Sequence, residues 1–278
     1  MRFNKIMMCK PTYFDVIHYR LNAHMNMSRH VNLSLAQFQW DSLYKGLINM
    51  GVSVDLIEPV PSLVDMVFTA NSAITYKDKA VISNFNAVPR KGESKYYDVF
   101  YKDYGYKTHM ITTEFEGAGD ALFSHNKTHL WIANGFRSDK EAVYEIKDFL
   151  TSNTINYHTL QLKSNLYYHL DTCFCPVDDK VLILYEEAFD TESLKKIYNV
   201  YNENDCIKVS LKDAANFACN SIVVTNELNN TCIVGNYFSN ELKDTYKKNG
   251  YDYLENNMSE FLLSGGSTKC SVIDIEMR

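Results

Sequence analysis

The chain has 278 residues, 46% of them hydrophobic, and a formal net charge of −6 at pH 7. That is enough apolar material for one large domain with a substantial core, and its acidic balance, with scattered Lys and Arg, excludes a basic nucleic-acid surface. No run of about eighteen apolar residues marks a membrane span, and the first eight residues carry Arg2 and Lys5 without the long apolar region of a secretory leader. Seven cysteines, spread along the chain, lack the dense spacing of a disulfide scaffold. They point to reduced thiols and a cytoplasmic location.

Taken in order, the chain opens with a strand near residues 6–9, a helix over 34–50 and a strand over 52–57. A repeat follows. Residues 67–76 turn at Lys77, Asp78 and Lys79 into 80–82; residues 121–123 turn through His125, Asn126 and Lys127 into 130–133. Residues 172–177 turn at Asp178 and Asp179 into 181–185, and residues 221–224 turn through Asn229 and Asn230 into 232–235. Each reads as a β-hairpin. After the later three come segments of helical spacing, 140–150, 191–201 and 240–249, with a further short strand such as 157–162 or 206–211. The polar stretch 86–102, with Pro89, Arg90, Lys91 and Gly92, reads as a loop.

The unit is therefore strand, strand, helix, strand, and the length holds about five at this period. The fifth is completed if the C-terminal strand 271–275 pairs with the N-terminal one. A closed ring is the sensible product, because closure removes exposed sheet edges. An open α/β sheet is disfavoured, since hairpins imply antiparallel neighbours. The fold class is α/β, a single domain over 1–278, with Cys270 brought to the middle.

Chemistry-bearing residues recur at the hairpin entries. Asp65 and Asn71 bracket the first, Glu116 opens the second, His169 and Asp171 open the third, and Gly265 and Gly266 precede Cys270. Taken singly, Cys270 reads as a buried structural thiol, Glu116 as a turn residue and His169 as a core histidine. Equivalent positions in a ring converge, so the conjunction reads differently. A thiolate attacks, an imidazole moves protons, and carboxylates in such numbers need a planar cation with several N–H donors. A guanidinium is the expected substrate. The spacing of Cys173 and Cys175 with His169, and that of His18, His24 and His30, match no closed zinc pattern, so no metal is expected.

Four motifs carry a family resemblance: Asp65-Met-Val-Phe-Thr-Ala-Asn71, Phe115-Glu-Gly-Ala-Gly-Asp120, Tyr168-His-Leu-Asp-Thr-Cys-Phe-Cys175 and Gly265-Gly-Ser-Thr-Lys-Cys270. Over nearly its whole length the chain resembles the guanidine-modifying superfamily of arginine deiminase, dimethylarginine dimethylaminohydrolase and glycine amidinotransferase. The resemblance implies a five-bladed, pseudo-fivefold α/β propeller of ββαβ repeats closed by the terminal strands. It implies Cys270 as nucleophile, His169 as general acid and base, Glu116 and Asp171 as guanidinium-holding carboxylates, and no cofactor. Arg90, in a mobile loop, and Arg137 match arginines that hold the substrate carboxylate; Asp65 and Asn22 fall among the substrate-binding positions.

One departure bears on the product. Where deiminases and dimethylaminohydrolases carry an acid, this chain has Asn71, and an amide both donates and accepts, as a neutral ureido group requires. That is the pattern of the arginine dihydrolases, which the chain resembles more closely, although Ala23 and His24 replace the proline and tryptophan that follow Asn22 there. The expected function is cysteine-dependent hydrolysis of L-arginine, carried on to ornithine, carbon dioxide and two ammonia. The alternatives are a deiminase stopping at citrulline, a dimethylaminohydrolase, or a catalytically silent arginine-binding ring. The expected partner is arginine or a substituted arginine, without nucleic acid or membrane; a homo-oligomer is left open.

Overall fold

Tight polar turns between short apolar runs set the architecture. The computed structural model describes residues 5–16, 30–226, 228 and 230–275. Asn22, His18 and His24 lie outside the described residues. The chain begins with β1 (Lys5–Cys9), α1 (Leu33–Asn49) and β2 (Ser53–Ile57). Next come β3 (Ala73–Tyr76), β4 (Lys79–Ile82), α2 (Ser94–Asp103) and β5 (Lys107–Met110), then β6 (Ala121–Ser124), β7 (His129–Asn134), α3 (Ala142–Leu150) and β8 (Asn156–Gln161). The next unit is β9 (Phe174–Pro176), β10 (Leu182–Leu184), α4 (Thr191–Tyr198) and β11 (Cys206–Lys208), followed by a short α5 (Leu211–Ala215). Last are β12 (Ile222–Thr225), β13 (Thr231–Gly235), α6 (Asn240–Lys248), β14 (Asp252–Glu255), a short α7 (Ser259–Leu262) and β15 (Ile273–Asp274).

These strands form five three-stranded sheets. In each, the inner strand runs antiparallel to the middle one, and the middle strand is parallel to the outer one across a helix. This is the five-bladed α/β propeller that the repeat implied. The ring closes as expected: β15 pairs antiparallel with β1, Met7 opposite Ile273, and β1 continues parallel into β2. Among the described residues no helix is long and apolar enough to cross a membrane.

The helices form where one face can be buried and the first turn capped. In α1, Asn32 caps Leu35 N–H, and Ala36, Trp40, Leu43 and Leu47 face inward. Asp190 and Ser239 cap α4 and α6, and Gly250 ends the latter at φ 79°. Two expectations are corrected here. Residues 86–93 are irregular apart from a short 3-10 turn, but the rest of the expected loop is helix: Tyr97 and Tyr101, one helical turn apart, are fully buried, so α2 forms despite its polar exterior. The first hairpin's opening run is a strand only over Ala73–Tyr76, because Val64–Val67 and Thr69–Ser72 are 3-10 turns.

Such turns recur just ahead of the inner strands. Thr69–Ser72, Gly117–Gly119, Leu170–Thr172 and Lys269–Ser271 precede β3, β6, β9 and β15 by at most two residues, and they pack against one another. Thr69 joins this cluster to the ring closure: its hydroxyl lies 3.0 Å from both Met7 O and Ser271 O, across β1 and the end of the Cys270 turn. Thr69→Val keeps the shape but removes that donor, so unfolding in urea should show a loss of about 1–3 kcal/mol. An unchanged midpoint would mean that the hydroxyl adds nothing to closure.

Candidate active site

Cys270 sits in the Lys269–Ser271 turn, 2% exposed. The two glycines before it serve the approach: Gly265 adopts φ 74°, and a Cβ on Gly266 would lie 2.2 Å from the Phe68 ring. The Cys270 S–H donates to Asp171 Oδ2 at 3.5 Å, while Asn220 Nδ2 donates to Sγ at 3.1 Å. Burial pushes the thiol up and the Asp171 charge adds to this; the Ser267 backbone, Asn220 and Lys269 act in the opposite direction. At rest the group is a thiol, and it needs positive charge nearby to become a nucleophile.

Glu116 is the acid of the second blade, with no exposed surface. His169 Nε2 approaches its Oε2 at 2.8 Å, and Arg137 Nη1 donates to both oxygens at 3.0 and 3.3 Å. Burial alone would raise its pKa, but Arg137, then His169 and Arg90, bring it down to about 2. Glu116 is therefore ionised throughout the working range. His169 Nδ1 and Asp171 Oδ1, both buried, have no hydrogen-bond partner in the described structure. Asp120 fixes the backbone beneath them, accepting from Leu170 N–H at 3.1 Å and from the Ser138 hydroxyl at 2.6 Å. Burial raises its pKa to about 6.

The Asn71 amide is held at both ends. Arg90 Nη1 donates to Oδ1 at 2.7 Å, and Nδ2 donates to Glu116 O at 3.3 Å. One N–H and one oxygen lone pair of the amide remain. Arg90 is itself buried, bidentate to Glu93 at 2.8 and 2.9 Å, and donates to the Asp65 and Phe68 carbonyls. Burial raises Glu93 to about 7 against the pull of Arg90. Among the described residues, five buried carboxyls in this connected centre, Asp65, Glu93, Glu116, Asp120 and Asp171, stand with three buried basic side chains, Arg90, Arg137 and Lys269. A cationic ligand would favour the charged form of the carboxyls whose pKa burial raises.

The family model for eukaryotic N,N dimethylarginine dimethylhydrolase matches residues 15–277. This chain belongs to that family, within the guanidine-modifying superfamily. It is 34% identical over 98% of its length to the bifunctional arginine dihydrolase/ornithine cyclodeaminase ArgZ of Synechocystis sp., and spans 37% of that longer protein. It is 32% identical over 99% of its length to the N(G),N(G)-dimethylarginine dimethylaminohydrolase of Mycobacterium tuberculosis, of which it covers 86%. Among solved structures, the N-terminal domain of ArgZ, a cyanobacterial arginine dihydrolase, superposes with a TM-score of 0.90 as a substrate-bound cysteine-to-serine variant, at 34% identity and 97% of each chain. An asparagine-to-serine variant of that domain, covalently bonded to a reaction intermediate, gives 0.92 at 33% identity, covering 98% of this chain and 97% of that one.

With the family in place, the expected residues sort as follows. Cys270, His169, Asp171, Glu116, Asn71, Asp65, Arg90 and Arg137 are all buried, and contacts or charge interactions link them around the converging turns. His169 and Asp171 share the centre through a 3-10 turn rather than through strand alternation. Arg90, expected on a loop, lies in the Val88–Arg90 turn and is paired with Glu93. Arg137 is likewise engaged, with Glu116 and over the face of Tyr168. Cys173 and Cys175 are buried thiols bonded to backbone carbonyls, and among the described residues no trio of His, Cys, Asp or Glu could hold a metal ion. Sequence reasoning missed Asn220, Glu93 and the role of Asp120.

Gly119 has no room to grow, since a Cβ there would lie 2.2 Å from Asn71 Nδ2 and 3.3 Å from the His169 ring. Gly119→Ala should cost about 1–3 kcal/mol in urea unfolding through overpacking. An unaltered midpoint would show that Asn71 shifts freely.

Proposed function

We propose that this chain is a cofactor-independent arginine dihydrolase. The observation that carries the reading is the Asn71 amide, fixed in orientation between Arg90 and Glu116, beside the hydrogen-bonded Glu116 and His169 and the Cys270 thiol. Arginine brings the missing positive charge: its guanidinium meets the buried carboxylates and favours the thiolate. The Cys270 thiolate adds to the guanidinium carbon, His169 protonates the departing nitrogen, and ammonia leaves a covalent amidino-thioether. Water activated by His169 then releases citrulline. In a second round citrulline and water yield ornithine, carbon dioxide and ammonia. Its carbonyl oxygen needs a donor that the remaining Asn71 N–H supplies and an acid at this position cannot.

The same groups serve a methylated guanidinium, with dimethylamine leaving, and the family model and the mycobacterial relative favour testing it. Arginine, citrulline and dimethylarginine supplied in parallel, with products identified by mass spectrometry, decide among these reactions. Ornithine from arginine is expected; citrulline accumulating without ornithine would defeat the dihydrolase reading. We further propose that residues 1–278 form a single domain, and that it works in the reducing cytoplasm, in keeping with its seven unpaired cysteines.

Asn71→Asp should separate the two rounds. The carboxylate still accepts from Arg90 but faces the Glu116 carbonyl with no proton to offer. Turnover of citrulline should fall at least 100-fold while arginine is still converted to citrulline. Equal losses on both substrates would show that the amide does not discriminate between them.

A further inference from the structure

Four of the five blades contribute an expected site residue at the entry to the inner strand, and the fourth hairpin, β12–β13, contributed none. The structure places Asn220 there, two residues before β12 and with no exposed surface. We infer that Asn220 is a catalytic residue that stabilises the Cys270 thiolate through its side-chain N–H. This rests on the reading of Cys270 as nucleophile and adds to it the donor that makes the thiolate attainable.

The hydrogen-bonding capacity of this amide is directed at the nucleophile turn. Nδ2 donates to Cys270 Sγ at 3.1 Å and to Asp171 O at 3.2 Å, while Oδ1 accepts from Cys270 N–H at 3.2 Å. The Asn220 carbonyl accepts in turn from the Thr268 hydroxyl at 2.7 Å and from Lys269 N–H at 3.3 Å. These partners settle the orientation of the amide. Rotated by half a turn, it would set its oxygen against the Asp171 carbonyl and its NH2 against the Cys270 N–H.

The consequence follows from what surrounds the sulfur. As a thiol, Cys270 donates to Asp171 Oδ2, and loss of the proton turns that contact into one between two anions. Among the described residues Asn220 is the one side chain that donates to Sγ. Its N–H bonds weakly to a neutral thiol and strongly to a thiolate, so it favours the reactive form. Asn220 thus differs from a residue that merely shapes the turn. It should alter the acidity of the sulfur even where the turn is kept.

The test uses the full chain without substrate. Iodoacetamide alkylates only the thiolate: a C–S bond forms, iodide leaves, and the thiol proton has gone to solvent. The rate at the Cys270 peptide is followed by mass spectrometry from pH 6 to 10, with Cys270→Ser as the blank. Asn220→Asp retains an acceptor for Cys270 N–H but loses the donor, and Asn220→Ala loses both. In each, the apparent pKa of alkylation should rise by at least one unit, a roughly tenfold slower reaction at pH values below both midpoints. A pH profile coinciding with wild type in either folded variant would overturn the assignment, even if arginine turnover were lost. If the aspartate variant does not fold, the alanine variant carries the comparison. Because alkylation needs no substrate, it reads Asn220 independently of whether arginine is hydrolysed.

Discussion

The centre of this molecule depends on burying the Glu116 carboxylate. An isolated charge so far from water costs several kcal/mol, and it stays ionised only because Arg137 and His169 meet it directly and Arg90 stands close by. Each of those groups is committed in turn. Arg137 lies over Tyr168, Arg90 is locked to Glu93 and to Asn71, and the Asn71 amide returns a hydrogen bond to the Glu116 backbone. One buried charge thereby organises the Asn71 amide, the imidazole and both arginines into a closed set.

Geometry for this comes from the blades. A short inner strand needs a tight entry, and in four blades that entry is a 3-10 turn packed against its neighbours around the axis. The turns bring residues from distant parts of the chain to one place without any long loop. They also explain the small residues at Gly119 and Gly266, where the turns lie too close for a side chain. Rigidity is the gain: each proposed reacting group sits on a turn anchored by the sheet that follows.

How much of this could be read from the residues differs by kind. The repeat was legible because hairpins leave apolar runs broken by Lys77-Asp78, His125-Asn126 and Asp178-Asp179, and the ring closure followed from the leftover strands. The motifs around Cys270, His169, Glu116 and Asn71 were legible because their residue types are unusual beside glycine or in conjunction. Helix α2 was hidden, since Glu93, Ser94 and Lys95 look like loop and only Tyr97 and Tyr101 reveal the buried face. Asn220 was hidden because an asparagine before a strand is ordinary turn chemistry, and only its contacts distinguish it. Extrapolating the blade position to the fourth hairpin would have found it. The setting of the arginines was not legible: a sequence cannot show that Glu93 and Glu116 already hold Arg90 and Arg137.

The shared blade has a bearing on how the molecule comes into being. β1 is made before the four hairpin sheets and β15 after them, yet they are neighbours, and Cys270 stands three residues before β15. A chain emerging from the ribosome can therefore carry all four hairpin sheets, with Asn71, Glu116 and His169, while the sulfur has yet to be synthesised. The sulfur reaches its neighbours in the same event that zips the two ends together, a contact of very large sequence separation and correspondingly slow formation. Until β15 meets β1, Cys270 stands apart from Asn220 and Asp171, so the surroundings of the sulfur are a product of ring closure and of nothing earlier.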